Sequence, residues 1–101
     1  MNPRELLTQQ NECTLSWVKR DGGPASTIVS FIYHDEKLWM TALAGSARVR
    51  AIRRDPRVSV VVSGKGTPLG HSRCVSLQGH CEIRDDQATR DLFFPLFAKA
   101  V

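Results

Sequence analysis

Between Cys13 and Lys19 apolar residues alternate with hydroxyl-bearing ones, Cys13, Leu15 and Trp17 against Thr14 and Ser16, the period of two that marks a half-buried strand. Asp21-Gly22-Gly23-Pro24 comes next, and its glycines take positive φ at little cost, so the strand is expected to turn back as an antiparallel hairpin. The pattern predicts a second strand over Ala25 to Tyr33, with Ala25, Thr27, Val29, Phe31 and Tyr33 on one face and Ser26, Ile28, Ser30 and Ile32 on the other. A polar turn, His34-Asp35-Glu36-Lys37, leads to a third strand over Leu38 to Ala42, and the three form a meander. Arg57 to Ser63 is a fourth strand, whose Val58, Val60, Val61 and Val62 predict burial on both faces. Arg73 to Ile83 is a fifth, with Gly79 as its expected bend or bulge.

Three short helices complete the pattern. Asn2-Pro3 is a cap followed by a first helical position, so Pro3 to about Gln9 is helical with Leu6 and Leu7 inward. A second helix opens on Ser46 and runs to about Arg54, with Val49 and Ile52 as a thin apolar stripe, and Asp55-Pro56 ends it. Asp85 and Asp86 favour the start of a third, with Leu92, Phe93, Leu96 and Phe97 as its apolar face and a kink at Pro95. Gly64 to Ser72 is a loop without the order of a P-loop. Five strands with meander connections and short helices predict one mostly β, antiparallel barrel-like domain spanning residues 1–101.

Composition changes this picture little. With 42% hydrophobic and 24% charged residues the chain falls in the ordinary globular range. No apolar run approaches the ~20 residues of a membrane span and no signal-peptide core is visible, so a cytoplasmic protein without a membrane partner is expected. Cys13, Cys74 and Cys81 are odd in number and lie in apolar strand-like segments, the setting of reduced, buried thiols.

The net charge of +4 is local, owed largely to Arg48, Arg50, Arg53, Arg54 and Arg57. Such a cluster suits nucleic acid, an anionic cofactor or a solvated helix face. Trp17, Tyr33 and Trp39 lie within apolar strands rather than on a stacking platform, so no nucleic-acid partner is expected. No metal site is expected either, because His80 and Cys81 point to opposite faces of a strand and no C-x-x-C or H-E-x-x-H spacing occurs. No nucleophile elbow is present, and no side chain is assigned as catalytic.

The candidate chemistry lies in Leu38 to Val62, LWMTALAGSARVRAIRRDPRVSVVV, where a strand ends at Gly45-Ser46 and a helix opens on Ser46 with Arg48 and Arg50 close behind. Helix amides and guanidinium groups gathered in this way suit a phosphate. Thr41, Gly45, Ser46, a basic residue at Arg48, and Asp55-Pro56, Arg57, Val58 and Ser59 resemble the flavin-binding split-barrel proteins related to pyridoxamine 5'-phosphate oxidase, in which the segment reads roughly F-Y-T-N-x-G-S-R-K-A, then N-x-P-R-V-S. The likeness covers about Leu15 to Leu96.

The resemblance implies a split β-barrel homodimer that binds FMN in two equivalent interface clefts, with the chain ending before the final strand such relatives usually have. It implies that Ser46 and Arg48 hold the cofactor phosphate, with Arg50 a further candidate, and that Thr41, Ser26, Thr27 and Arg73 lie near the cofactor. Departures are equally visible. Ala47 replaces an arginine of the phosphate motif, Thr27 stands where vitamin B6 oxidases place another, Cys74 stands in place of a flavin-contacting glutamine, and Ala44 lengthens the turn before Gly45. True pyridoxamine 5'-phosphate oxidase activity is therefore not expected. The resemblance extends to a wider family that includes flavin reductases, proteins using the deazaflavin F420, haem-binding members and many proteins of unknown substrate. The reading is a flavin-dependent oxidoreductase acting on a small molecule, with F420 as the alternative cofactor and a non-catalytic module with a degenerate site as the alternative of another class.

Overall fold

The computed structural model describes residues 2–43 and 45–100. Five strands, β1 (Glu12–Val18), β2 (Pro24–His34), β3 (Lys37–Met40), β4 (Arg57–Ser63) and β5 (Cys74–His80), form one antiparallel sheet in the order β3-β2-β1-β4-β5. The meander occupies one side, and β4 joins the free edge of β1. That placement requires the chain to cross over, and α2 (Ala47–Arg54) makes the crossing, with Ile52 packed into the same core as Leu15, Phe31 and Val60.

Register follows the alternation. Leu15 lies opposite Thr27 on β2 and Val60 on β4, so all three share the inner face, whereas Ser16 lies opposite Ser26 and Ser59 on the outer face. The inner face is closed by α1 (Pro3–Gln9), which sends Leu6 and Leu7 into the core. Burying a side chain such as Leu6, Leu15 or Phe31 contributes about 1.5–3 kcal/mol each. Asn2 caps α1 by accepting from the Arg4 amide at 2.9 Å, and the Gln10 amide group donates to the carbonyls of Ser63 and Lys65 at 2.7 and 3.0 Å. These bonds pin the helix to the far end of β4.

Several boundaries differ from expectation. β3 stops at Met40, where its pairing with β2 ends at the Phe31–Met40 pair, so Thr41 lies outside the strand. β4 is not buried on both faces: Val60 and Val62 are in the core while Val61 is 41% exposed, the pleat outweighing the run of valines. β5 is shorter than its apolar pattern, and it carries no bulge at Gly79, which pairs with Val58 in unbroken register. Cys74 is exposed, since it pairs with outward-facing Ser63, whereas Cys13 is buried and Cys81 half-buried.

On the outer face α3 (Gln87–Ala100) covers the β2–β3 end of the sheet. Its Phe93 ring stacks on Trp39 with centroids 3.8 Å apart and meets His34 edge-on at 5.6 Å. The helix continues through Pro95, and Phe93 and Phe97 are its buried residues, while Leu92, expected inward, is 52% exposed. Asp86 caps it, accepting from the Thr89 amide at 3.0 Å and the Thr89 hydroxyl at 2.7 Å. Among the described residues no helix is long and apolar enough to cross a membrane.

Two tight connections set further constraints. The loop after β4 folds back so closely that a Cβ on Gly64 would lie 2.3 Å from the Gly70 carbonyl oxygen and 3.1 Å from that of Arg73. Gly64→Ala is expected to lose about 1–3 kcal/mol of stability in urea unfolding, since backbone cannot yield as a side chain would. Between β2 and β3, Asp35 and Glu36 have φ of 55° and 57°, the left-handed pair of a two-residue hairpin turn. Glycine is the residue best suited to the second of these positions. Glu36→Gly is expected to raise the urea midpoint, adding up to about 1 kcal/mol, because the relieved left-handed strain exceeds the exposed Arg4–Glu36 ion pair.

Candidate functional site

The N-terminal end of α2 is built by one serine. Ser46 has extended backbone angles, its Oγ accepts from the Val49 amide at 3.2 Å, and its carbonyl accepts from the Arg50 amide at 3.1 Å. The amides of Ala47 and Arg48, in the first turn, have no acceptor within the helix. They carry the partial positive charge of the helix end.

The arginine cluster separates by partner. Arg50 turns back and donates from Nη1 to the Gly45 carbonyl, bracing the turn before the helix. Arg53 pairs with Asp85 at 3.5 Å, tying the end of α2 to the segment before α3. Arg57 grips Asp55. Among the described residues the half-buried Arg48 guanidinium has no hydrogen bond or ion pair, and it lies two residues from the Ser46 cap.

The other candidates are dispersed. Ser26 and Thr27 occupy opposite faces of β2: Thr27 lies opposite Leu15 on the inner face, and the Ser26 hydroxyl shares a 2.7 Å hydrogen bond with that of Ser16 on the outer face. Thr41 is exposed just beyond β3, whereas Arg73 is exposed just before β5, at the other edge of the sheet. Backbone bonds of Arg73 close the preceding loop, its amide donating to Gly70 and its carbonyl accepting from Gly64. Within one chain the structure therefore groups Ser46 and Arg48, with Arg50 turned to the protein, and leaves Ser26, Thr27 and Arg73 on separate faces or edges. The additional turn residue Ala44 lies outside the described residues.

Burial pushes the Cys13 thiol up to about 11 and raises that of Cys81, so both are protonated packing groups rather than nucleophiles. Among the described residues no three His, Cys, Asp or Glu side chains gather in a way that could hold a metal.

An open cleft lies elsewhere. It encloses about 540 Å³ and crosses the end of the outer face near Val18, Pro24, Arg57, Ser59, Gln78 and His80. That end adjoins the C-terminus of α2, the length of the helix away from Ser46, so the volume and the phosphate-type donors are separate features. The sequence pattern marks Arg57 as a strand opener and a member of the basic cluster, not as a residue lining a cleft. The signal for a paired arginine was Asp55 two residues earlier across Pro56.

Comparison with known proteins places these features in a family. The profile of the pyridoxamine 5'-phosphate oxidase family matches residues 2–100, and the chain belongs to that family. A structure named F420 reductase superposes with a TM-score of 0.81 at 22% identity, over 99% of this chain and 77% of that one. A FAD-binding protein from Mesorhizobium loti gives 0.75 at 24% identity, over 96% and 71%. A conserved hypothetical protein from Mycobacterium tuberculosis gives 0.75 at 28% identity, over 88% of this chain and 57% of that one, so the chain spans little more than half of that relative. A comparison with curated proteins finds no match. The antiparallel sheet with short helices is the split barrel of this family.

Hydrogen bonds from the Arg57 side chain hold the Asp55 carboxyl down to about 2, and those from Thr89 do the same for Asp86. A carboxyl depressed in the folded state stabilises fully above its unfolded value of about 3.9 and ceases to do so as pH falls through the folded value. Thermal stability is therefore expected to fall as pH drops from about 4 towards about 2, and an Asp55→Asn, Asp86→Asn double variant should show a shallower decline in melting scans over that window.

Proposed function

We propose that the chain is a dimeric oxidoreductase that binds FMN, with F420 as the alternative cofactor, and anchors the cofactor phosphate at the N-terminal end of α2. The observation that carries this reading is Arg48: a half-buried cation without a partner among the described residues, beside two first-turn amides that have no acceptor within the helix. Leaving such a cation unpaired is costly, and an anion there would satisfy the guanidinium and the amides together. Donor chemistry at this end fits a phosphate. The F420-reductase and FAD-binding names among similar folds agree with a flavin or deazaflavin, either of which would supply the hydride chemistry when bound.

In this reading Ser46 keeps the helix end in shape while Arg48 supplies the charge. Arg50 acts indirectly, holding the Gly45 carbonyl so that the preceding turn keeps its path. Thr41, exposed at the end of β3, is placed to hydrogen-bond a ring system running along that edge. Ser26 and Arg73 would reach the same cofactor only from a second copy or across the sheet. That requirement, together with the exposed Ile28 and Val61 on the outer face, supports a homodimer. The substrate is a small molecule.

Thr27 favours a second reading, a non-catalytic module on the same fold. It faces the core opposite Leu15 and carries no charge, and Ala47 adds none at the helix end. A purified protein that stays colourless and retains neither FMN nor F420 through gel filtration would support that reading, whereas a retained flavin or deazaflavin band supports the oxidoreductase. Arg48→Ala is expected to weaken FMN binding by about 1.5–3 kcal/mol in a fluorescence titration, and unchanged affinity would remove Arg48 from the site.

A further inference from the structure

β3 is an edge strand of four residues, paired with β2, and it carries Thr41 directly beyond its end. Its register stops at the Phe31–Met40 pair, so side-chain contacts must fix the direction in which the chain leaves it. Trp39 supplies them. The indole N–H donates to the His34 carbonyl at 3.0 Å, and Phe93 of α3 stacks over the indole with centroids 3.8 Å apart while meeting the His34 ring edge-on. One phenyl ring therefore clamps both arms of the β2–β3 hairpin.

The root of the same helix is tied to the other wall of the candidate site. Asp85, two residues before α3 begins, pairs with Arg53 in the last turn of α2 at 3.5 Å. Both side chains are more than half exposed, so this pair steers the helix rather than anchoring it. The turn that leads from Thr41 to Ser46 runs between these two attachments. Within it the Ser46 amide donates to the Leu43 carbonyl at 3.0 Å, and Arg50 holds the Gly45 carbonyl. Among the described residues these bonds tie the turn to itself and to α2, while the α3 segment reaches both α2 and β3.

We propose, resting on the cofactor reading above, that α3 is a strap that sets the spacing of β3 and α2 across the cofactor site, with Phe93 as a positioning residue acting through Trp39. Docking of the strap and binding of the cofactor then strengthen each other. A cofactor that spans Thr41 and the Ser46–Arg48 end needs both walls at one separation, and a strap that holds them there lowers the ordering cost of binding. Such coupling is reciprocal: the factor by which docked α3 tightens the cofactor is the factor by which the cofactor suppresses detachment of α3. The helix already occupies its end of the outer face, so no free surface is needed there.

The test is native-state proteolysis of the whole chain by chymotrypsin, with and without saturating FMN, beside a fluorescence titration of FMN; F420 replaces FMN where it alone binds. Cleavage within α3, identified by product mass, requires the helix to detach and open, so its rate follows the open population. FMN is expected to slow that cleavage about fivefold or more, the lower end of ordinary coupling between two sites. Phe93→Ala should weaken FMN by a similar factor, while Phe94→Ala, at a position 57% exposed, should leave the affinity unchanged. Asp85→Asn should weaken FMN about twofold at low salt and not at high salt, as suits an exposed pair. A residue that only packed helix on sheet would speed cleavage when replaced without moving FMN affinity. The coupling is overturned if bound FMN leaves cleavage within α3 unchanged, if Phe93→Ala binds FMN undiminished, or if Phe94→Ala loses as much. The comparison with and without FMN on the unaltered chain decides even if a variant does not fold. Absence of binding by both FMN and F420 overturns the cofactor reading itself, and the strap with it.

Discussion

The fold depends on the alternation within β1. Cys13, Leu15 and Trp17 must face one way because the residues between them carry hydroxyls, and β1 is the central strand, so its pleat is imposed on a neighbour at each edge. A slip of one residue against β2 would place Thr27 and Val29 on the outer face and Ser26, Ile28 and Ser30 in the core. A slip against β4 would exchange Val60 for Val61 and Ser59. Either would bury hydroxyls without partners, and the cost of doing so holds the register in both directions. The crossover through α2 then follows, since β4 reaches the free edge of β1 only if the chain leaving β3 passes over the inner face.

Most of this was legible because it rests on short-range patterns. The Asn2-Pro3 start of α1, the hairpin at Gly22-Gly23, the Ser46 cap and the Asp86 start of α3 all involve groups a few residues apart. Misplaced features depend on partners distant in sequence. A continuous valine run reads as buried on both faces, but Val61 points to the outer face of the pleat, where it is 41% exposed. Leu92 was assigned to an apolar stripe that is set in space by where Trp39 presents its ring to Phe93, 54 residues further along the chain. Exposure of Cys74 likewise follows from pairing with Ser63.

The candidate site was legible in part. Ser46 and Arg48 are neighbours on one helix end, so sequence order alone brings them together. Ser26, Thr27 and Arg73 were carried by resemblance, and their dispersal over two faces and two edges of the sheet could not be read from letters. The arginine cluster shows why charge counting is a weak guide: its members look alike in sequence, yet a carbonyl, two different carboxylates and, among the described residues, no partner distinguish Arg50, Arg53, Arg57 and Arg48. None of these pairings was read from the sequence, although the Asp55-Pro56-Arg57 spacing is short enough to carry one.

The attachment of α3 has a consequence for motion. The helix lies outside the closed core, docked on the β2–β3 end of the outer face chiefly through Phe93 and Phe97, while Leu92 and Phe94 face solvent. A unit held by a few rings can leave the sheet without disturbing the β1–β2–β4 ladder, at a free energy below that of global unfolding. Its amides should then exchange with solvent as a group, ahead of the central strands. Each such opening would uncover Trp39, converting a stacked indole into a transiently wet one and making the emission of that tryptophan a reporter of helix detachment rather than of unfolding.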